Sequence, residues 1–449
     1  MRLWRFRSAL GVFPMQLFAR VLMKHRIFLH TAMFTDQGGI AGQCPGHGIH
    51  QSSPPSIAPC VPVYKLQPPG GDHWHPPSEH FPARRLLNSP LPPYLLSSIH
   101  SFFVPAVRLS NRFCPKTNNP HPNTMPSLAT ILAIASPVLA LSSPPSGALT
   151  VGSSGKYSTI QDAVDALSTS SSSEQVIFIY SGTYKEQVVI PQLSGALTVY
   201  GQSDSASYSG NTVTISAGKS QADGLNNDGT ATLAVHTGNV KVYNLNVENT
   251  YGKGSQAVAL SAYASGNHGY YGVKLTGFQD TLLAQEGNQV YAQSYIEGAT
   301  DFIFGQEAAA WFEGCDIRVA SASLGYVTAN GRDGSSNPSY YVINNSSVAA
   351  ASGASVSSGA IYLGRPWRNY ARVVFQETEL SDIINAAGWA VWSTSDTRTD
   401  EVTFAEYGNS GDGASTSGRA SFSKQLSSPV SMSDVLGSDY ADWIDSSYF

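Results

Sequence analysis

Two aspartates in the second half of the chain stand at matching distances from matching apolar residues. Asp280 lies five positions after Leu275, and Asp301 lies five positions after Ile296. Where those segments stack as parallel strands, the two carboxylates occupy equivalent places on neighbouring strands, about 4.8 Å apart. Like charges that close do not both ionise freely, so one carboxyl keeps its proton at a pH where the other is charged. Such a split suits acid/base or nucleophile/acid chemistry. A ladder of aspartates capping turns at successive corners has the same spacing, and spacing alone leaves both readings open.

For the two side chains to meet, the chain must stack in coils. A weak repeat points that way: Asn244-Leu245-Asn246-Val247, Gly272-Val273-Lys274-Leu275, Gln293-Ser294-Tyr295-Ile296, Gly314-Cys315-Asp316-Ile317 and Asn345-Ser346-Ser347-Val348 share a pattern. Their last apolar residues are 28, 21, 21 and 31 apart. Irregular periods of this size suit a parallel β-helix, in which loops vary while each coil stacks on the last. A β-propeller needs ~40-residue blades, and the hairpin signals that would go with them are missing. From Thr150 onward the chain is rich in Gly, Ser and Thr, with strand-like runs at 175–180, 187–190 and 197–200. Residues 160–167 (IQDAVDAL) read as one amphipathic helix. The expected fold is all-β, a single-stranded parallel β-helix with a short N-terminal helix.

Composition sets the outer bounds. The chain has 449 residues, of which 13% are charged, about half the ~25% of an average soluble domain. At 42% hydrophobic residues a core is affordable, which excludes disorder throughout. No apolar run approaches the ~20 residues of a bilayer span, which excludes a polytopic membrane protein. Four cysteines in this length exclude a disulfide scaffold. The averages conceal a split. Residues 1–124 hold 12 Lys+Arg against 3 Asp+Glu, with 18 of the 26 prolines, whereas residues 125–449 hold 14 against 28. Cys44, Cys60 and Cys114 are too singly spaced for a zinc site. The first thirty residues are Arg-rich and free of acids, like a mitochondrial presequence, but a rival start lies at Met125. From there an apolar stretch, Leu128 to Leu141, with small residues around Ala140, looks like a secretory signal, although its n-region lacks Lys and Arg and Pro137 interrupts it. We expect residues 1–124 to be an unstructured extension outside the mature protein, 125–140 a signal peptide, and 141–449 the folded domain.

Local sequence decides what the aspartates are for. Gly182-Thr183-Tyr184-Lys185-Glu186, Gln256-Ala257-Val258-Ala259-Leu260, Gly277-Phe278-Gln279-Asp280-Thr281-Leu282, Asp301-Phe302-Ile303-Phe304-Gly305 and Leu363-Gly364-Arg365-Pro366-Trp367 occur in this order. Together they resemble the five signature blocks of the pectin methylesterases (pectinesterases), and the resemblance extends over about 149–449. The stretch 270–319, with Gln293-Ser294-Tyr295-Ile296-Glu297-Gly298 and Trp311-Phe312-Glu313-Gly314-Cys315-Asp316, is most similar to the fungal branch. The resemblance implies a right-handed parallel β-helix and a secreted, extracellular enzyme that removes C6 methyl esters from homogalacturonan (pectin), giving pectate and methanol. It implies Asp301 as nucleophile, Asp280 as acid/base, Gln256 and Gln279 as oxyanion donors, and Arg365 as the partner of the nucleophile. Trp367, Trp392 and Phe302 correspond to aromatics of the sugar groove. It implies no metal, no cofactor, no nucleic acid, no membrane and a monomeric enzyme whose partner is methyl-esterified pectin.

Other features carry less. Where the family's block after its first glutamine often continues with Arg, this chain has Ser261, a change expected to touch substrate binding more than chemistry. The inhibitory pro-region and cysteine pairs of plant members have no counterpart here. Cys315 reads as a buried thiol on an inward position, and His236 and His268 as structural residues. Asn344 and Asn345 open two overlapping N-glycosylation acceptors. A pectate lyase or polygalacturonase would share the coil stack, but neither a calcium-linked Arg/Lys base nor an aspartate cluster with Asn is visible. A serine esterase is disfavoured by the lack of any G-x-S-x-G. A non-catalytic sugar-binding β-helix would keep the aromatics without the paired aspartates.

Overall fold

The expected helix forms over Ile160–Asp165 in the computed structural model of the protein, which describes residues 140–449. The expectations for 1–124 and for the signal segment up to residue 139 lie outside the described residues. Thr159 caps the helix, its hydroxyl accepting from Asp162 N at 3.1 Å. Glu186 takes the remaining free amides, accepting from Ile160 N at 2.9 Å and Gln161 N at 3.0 Å. A carboxylate at this end of a helix meets the favourable sign of its dipole. The first signature block, Gly182 to Glu186, therefore fastens the helix onto the coil stack. Ile160, Ala163 and Val164 on its inner face join the hydrophobic interior of that stack.

Beyond the helix the chain winds as parallel strands. Among the described residues they form sheets of 16 and 8 strands. The eight-stranded sheet is one face, and it contains the repeat read from the sequence. Val247 pairs with Leu275, Leu275 with Ile296, Ile296 with Ile317, and Ile317 with Val348. The larger sheet supplies two faces, because Leu260–Tyr271 and Leu282–Ala292 bend in their middles. The first half of Leu282–Ala292 pairs with Thr300–Gly305 in the first face and the second half with Ala309–Glu313 in the second, the eight-stranded sheet being the third. Gly287 makes that bend at φ +87°, where a Cβ would lie 2.5 Å from the Ala264 carbonyl oxygen, a place open to glycine alone. The result is a three-faced parallel β-helix.

One corner repeats along the whole stack. Asn244, Gly272, Gln293, Gly314, Asn345, Glu377 and Gly408 all adopt left-handed φ, between 45° and 59°. Each precedes a strand of the third face or takes the matching place at the stack's end. Inside this corner, side-chain oxygens hold the backbone of the coil before: Ser294 accepts from Val273 N, Ser346 from Cys315 N, Thr378 from Ser346 N and Asn409 from Thr378 N. Cys315 sits in this ladder at the turn before the strand Asp316–Val319, buried as expected, and burial raises its thiol to about 12. Deeper in, Tyr270, Tyr291 and Phe312 stack face to face, with centroids 4.9 and 4.8 Å apart. That interval is the strand spacing itself, so the rings follow the backbone register.

A short helix absent from the sequence reading, Met432–Leu436, packs Val435 and Leu436 against Val342 and Val374 on the outside of the second face. Among the described residues, no helix is long and apolar enough to cross a membrane.

Candidate active site

Asp280 and Asp301 stack as the spacing requires. The flanking pairs Gln279–Thr300 and Leu282–Ile303 fix the same offset on both sides of them. Both residues are left-handed, with φ 65° and 52°, a conformation that Asp and Asn tolerate better than other non-glycine residues. The bend turns both carboxyl groups out of the stack onto the first face, where each residue keeps only 6% of its surface exposed. Gly305 closes the block at φ +143°, where a Cβ would fall 1.8 Å from the Ala284 carbonyl oxygen. The block's final glycine is thus required by the coil beside it.

One neighbour distinguishes the two carboxylates. Arg365 grips Asp301 through two parallel bonds, Nε to Oδ1 at 2.9 Å and Nη2 to Oδ2 at 2.6 Å. Its guanidinium lies between the rings of Tyr326, 4.1 Å away, and Trp392, 4.5 Å away. Burial opposes the charge on Arg365, but its bonds to Asp301 outweigh this and raise its pKa. Burial pushes the pKa of both aspartates up. At Asp280 the charge of Asp301 adds to it, with Arg365 and Gln279 opposing, and the carboxyl stands well above its ordinary value. At Asp301 the bonds and charge of Arg365 pull back against burial, leaving a smaller rise. Arg365 thus opposes the rise at Asp301 through two direct bonds and its charge, and at Asp280 through its charge alone.

Both aspartates lie in a cleft of about 290 Å³ together with Gln256, Gln279, Arg365, Trp367 and Trp392. Seven of the eight residues singled out from the sequence thus line one cleft. Phe302 is the exception. It is fully buried in the main core, stacked over Gly298, where a Cβ would lie 2.2 Å from Phe302 Cβ. The bend at Asp301 sends the next side chain inward, and Phe304, two positions on, lines the cleft instead. Phe304 packs with Trp367, Val258, Leu283 and Ala329 in a small apolar cluster beside the aspartates. Sequence reasoning also missed Gln221 and Asn227, which come from a loop without a motif. Tyr326 was missed as well, since nothing near it in the chain signals a ring stacked on Arg365.

Ser261 is sealed from solvent and donates to Asp228 Oδ1 at 2.6 Å. Asp228 also pairs with His236 Nε2 at 3.0 Å, so His236 has a carboxylate partner. His268 is fully buried, donates from Nε2 to the Ala264 carbonyl at 2.8 Å, and is lowered to about 4 by burial. Roomier hollows of about 440 Å³ beside Tyr208 and about 740 Å³ beside Lys185 share no lining residue with the cleft. Among the described residues no three of His, Cys, Asp or Glu gather as metal ligands.

The chain resembles known proteins in sequence and fold. The Pectinesterase family model matches residues 148–435. A pectinesterase of Aspergillus niger is 56% identical over 308 residues, spanning 68% of this chain and 92% of its own length. One from Aspergillus aculeatus is 51% identical over 324 residues, 71% and 97% respectively. Among solved structures, the deglycosylated pectin methylesterase of Aspergillus niger superposes with a TM-score of 0.65 at 45% identity, covering 69% of this chain and all of that one. The pectin methylesterase from carrot does so with a TM-score of 0.60 at 29% identity, covering 67% and 97%.

Proposed function

The chain belongs to the pectinesterase family, and from that premise we propose that it hydrolyses the C6 methyl esters of homogalacturonan through a covalent intermediate on Asp301. The observation that carries this reading is the asymmetry of the aspartate pair. Two stacked carboxyl groups share one wall of the cleft, and only Asp301 is held by a bidentate guanidinium. Such a pair is strong and geometrically specific, and it favours the ionised form of its carboxylate.

The chemistry follows from that division. Asp301 attacks the ester carbonyl, and the electron pair of the C=O bond moves onto oxygen. The side-chain amides of Gln256 and Gln279, both in the cleft, donate to this oxygen as charge builds. The tetrahedral intermediate collapses: the C=O bond re-forms, the bond between C6 and the methoxy oxygen breaks, and Asp280 gives its proton to that oxygen, so methanol departs. The acyl-enzyme is an anhydride between Asp301 and the C6 carboxyl. Asp280, now ionised, takes a proton from water, which attacks the C6 carbonyl and releases Asp301. The cycle consumes one water, yields one methanol and one carboxylic acid, which loses its proton to solvent, and returns both aspartates to their starting states.

Trp367 and Trp392 offer ring faces to a sugar chain laid along the cleft, and Phe304 and Leu283 supply an apolar floor for the methyl group. The enzyme acts as a monomer on methyl-esterified pectin outside the cell. Residues 125–140 serve as its secretion signal, and residues 1–124 are absent from the mature protein. The body of the fold takes up the chain from Leu141, whose carbonyl accepts from Ser203 N at 3.0 Å. Two assays test the reading. Highly methylated pectin should release methanol without unsaturated products or new reducing ends. Unsaturated ends would indicate a lyase, reducing ends a polygalacturonase, and no reaction a binding module. N-terminal sequencing of secreted protein should begin within a few residues of Leu141, and a start before Met125 would overturn the proposed processing.

A further inference from the structure

Asn344-Asn345-Ser346-Ser347 holds two overlapping acceptors for N-linked sugar, and no other Asn-x-Ser/Thr with x other than Pro occurs in the chain. The fold treats the two asparagines in opposite ways. Asn344 ends the strand Tyr340–Asn344 and is paired in register with Glu313 on one side and Gln376 on the other. Its Nδ2 donates to Glu313 Oε2 at 2.8 Å, and its Oδ1 accepts from Gln376 Nε2 at 2.8 Å. Glu313 also accepts from Trp311 Nε1 at 2.8 Å. Gln376 clasps the C-terminal segment, accepting from Val430 N at 2.9 Å and donating to Val430 O at 3.1 Å. Both ends of the Asn344 amide are thus committed to a network that docks the last twenty residues onto the stack.

Asn345 stands one residue further on, at the left-handed corner with φ 45°. It is exposed, and among the described residues its only side-chain bond is a long one, 3.4 Å to Glu313 Oε1. The corner joins the second face to the third, whereas the aspartate cleft opens on the first. We propose that Asn345, and not Asn344, carries an N-linked oligosaccharide in the mature protein, an inference that rests on the reading that the chain enters the secretory pathway. In that step Asn345 Nδ2 bonds the anomeric carbon of an N-acetylhexosamine delivered on a lipid diphosphate. One amide proton is lost, and the lipid diphosphate leaves with the electrons of the broken C–O bond. A sugar on Asn344 would displace the Glu313 carboxylate and part the C-terminal segment from the stack, so chains modified there do not complete the fold. A sugar on Asn345 projects from a corner remote from the catalytic face and leaves kcat/KM unchanged.

The full chain should be produced in a fungal host in two arms, one with its own N-terminus and one behind a heterologous secretion leader. Enzymatic removal of N-glycans in ¹⁸O-water converts the modified Asn to labelled Asp, and peptide mass spectrometry should place the label at 345. Ser347→Ala destroys the Asn345 acceptor and keeps the Asn344 acceptor, and it should abolish the glycan. Asn344→Gln should retain it. Label at 344, a glycan surviving Ser347→Ala, or an unmodified secreted chain in the heterologous arm would overturn the proposal. Label at 345 in the heterologous arm, with no secretion in the native arm, would support the site while refuting native secretion.

Discussion

Asp280 and Asp301 share a backbone conformation, a depth and a wall of the cleft, and they differ in who faces them. Arg365 binds one and merely lies near the other. The division of labour proposed above rests on that one guanidinium, and it makes the expected pH dependence specific. The proposed mechanism needs Asp301 ionised and Asp280 protonated, so it predicts a rate that falls in acid as the first takes a proton and in alkali as the second loses its own. Asp280→Asn keeps shape and tolerates the left-handed bend, and it should lower the rate by about 10²–10⁴-fold, the usual share of a general acid. It should also erase the alkaline limb. Stability should move the other way. Asp280's pKa is well above its ordinary value in the fold, so between the ordinary and the raised value the native state holds a proton that the unfolded chain has released. Native stability therefore declines as pH rises through that window. Melting curves of Asp280→Asn should match the parent at low pH and exceed it near neutrality. A variant less stable than the parent at neutral pH would show that the charge is not a burden.

At the scale of elements, Arg365 is placed by pieces that no single motif contains. Tyr326 comes from the strand Gly325–Asn330, and Trp392 from a loop that Arg398 fastens to the Trp367 carbonyl. Cation–π contacts out of bulk water are worth about 1–2 kcal/mol. Tyr326→Leu should therefore lower kcat by roughly 5–30-fold with little change in KM, while Tyr326→Phe keeps most of the rate. A change confined to KM would make Tyr326 a sugar contact instead. The coil architecture was legible in the sequence because every coil repeats one buried residue beside one bend, and Leu275, Ile296 and Ile317 pair as their spacing implied. What the spacing could not carry was side-chain facing near a bend. Phe302 and Phe304 share a block, yet the turn at Asp301 buries the first and exposes the second to the cleft. Tyr326 was invisible for another reason, being joined to Arg365 only through the stacking of distant segments.

At the scale of the whole molecule, charge should bear on the substrate. Residues 125–449 hold 28 Asp+Glu against 14 Lys+Arg, and each turnover converts a neutral ester into an anion. The growing polyanion should be repelled by an acidic enzyme, and salt should relieve this. At low ionic strength, highly methylated pectin should be hydrolysed faster than low-methyl pectin at equal ester concentration, with the gap narrowing as salt is added. Equal rates at low salt would remove long-range charge from the account. The same composition changes near residue 124, since proline and basic residues crowd into the first part and acids into the second.

Methanol release by Asp301→Asn bears on the central claim more directly than any other measurement. Asparagine keeps the left-handed turn and the volume, so the variant should fold with an unchanged far-ultraviolet spectrum and cooperative melting. It lacks the attacking oxygen, and its methanol release from highly methylated pectin should fall to near background. Combining it with Asp280→Asn should make it scarcely worse, because the two act as one unit. A folded Asp301→Asn protein that still released methanol at a substantial fraction of the parent rate would contradict covalent catalysis by Asp301.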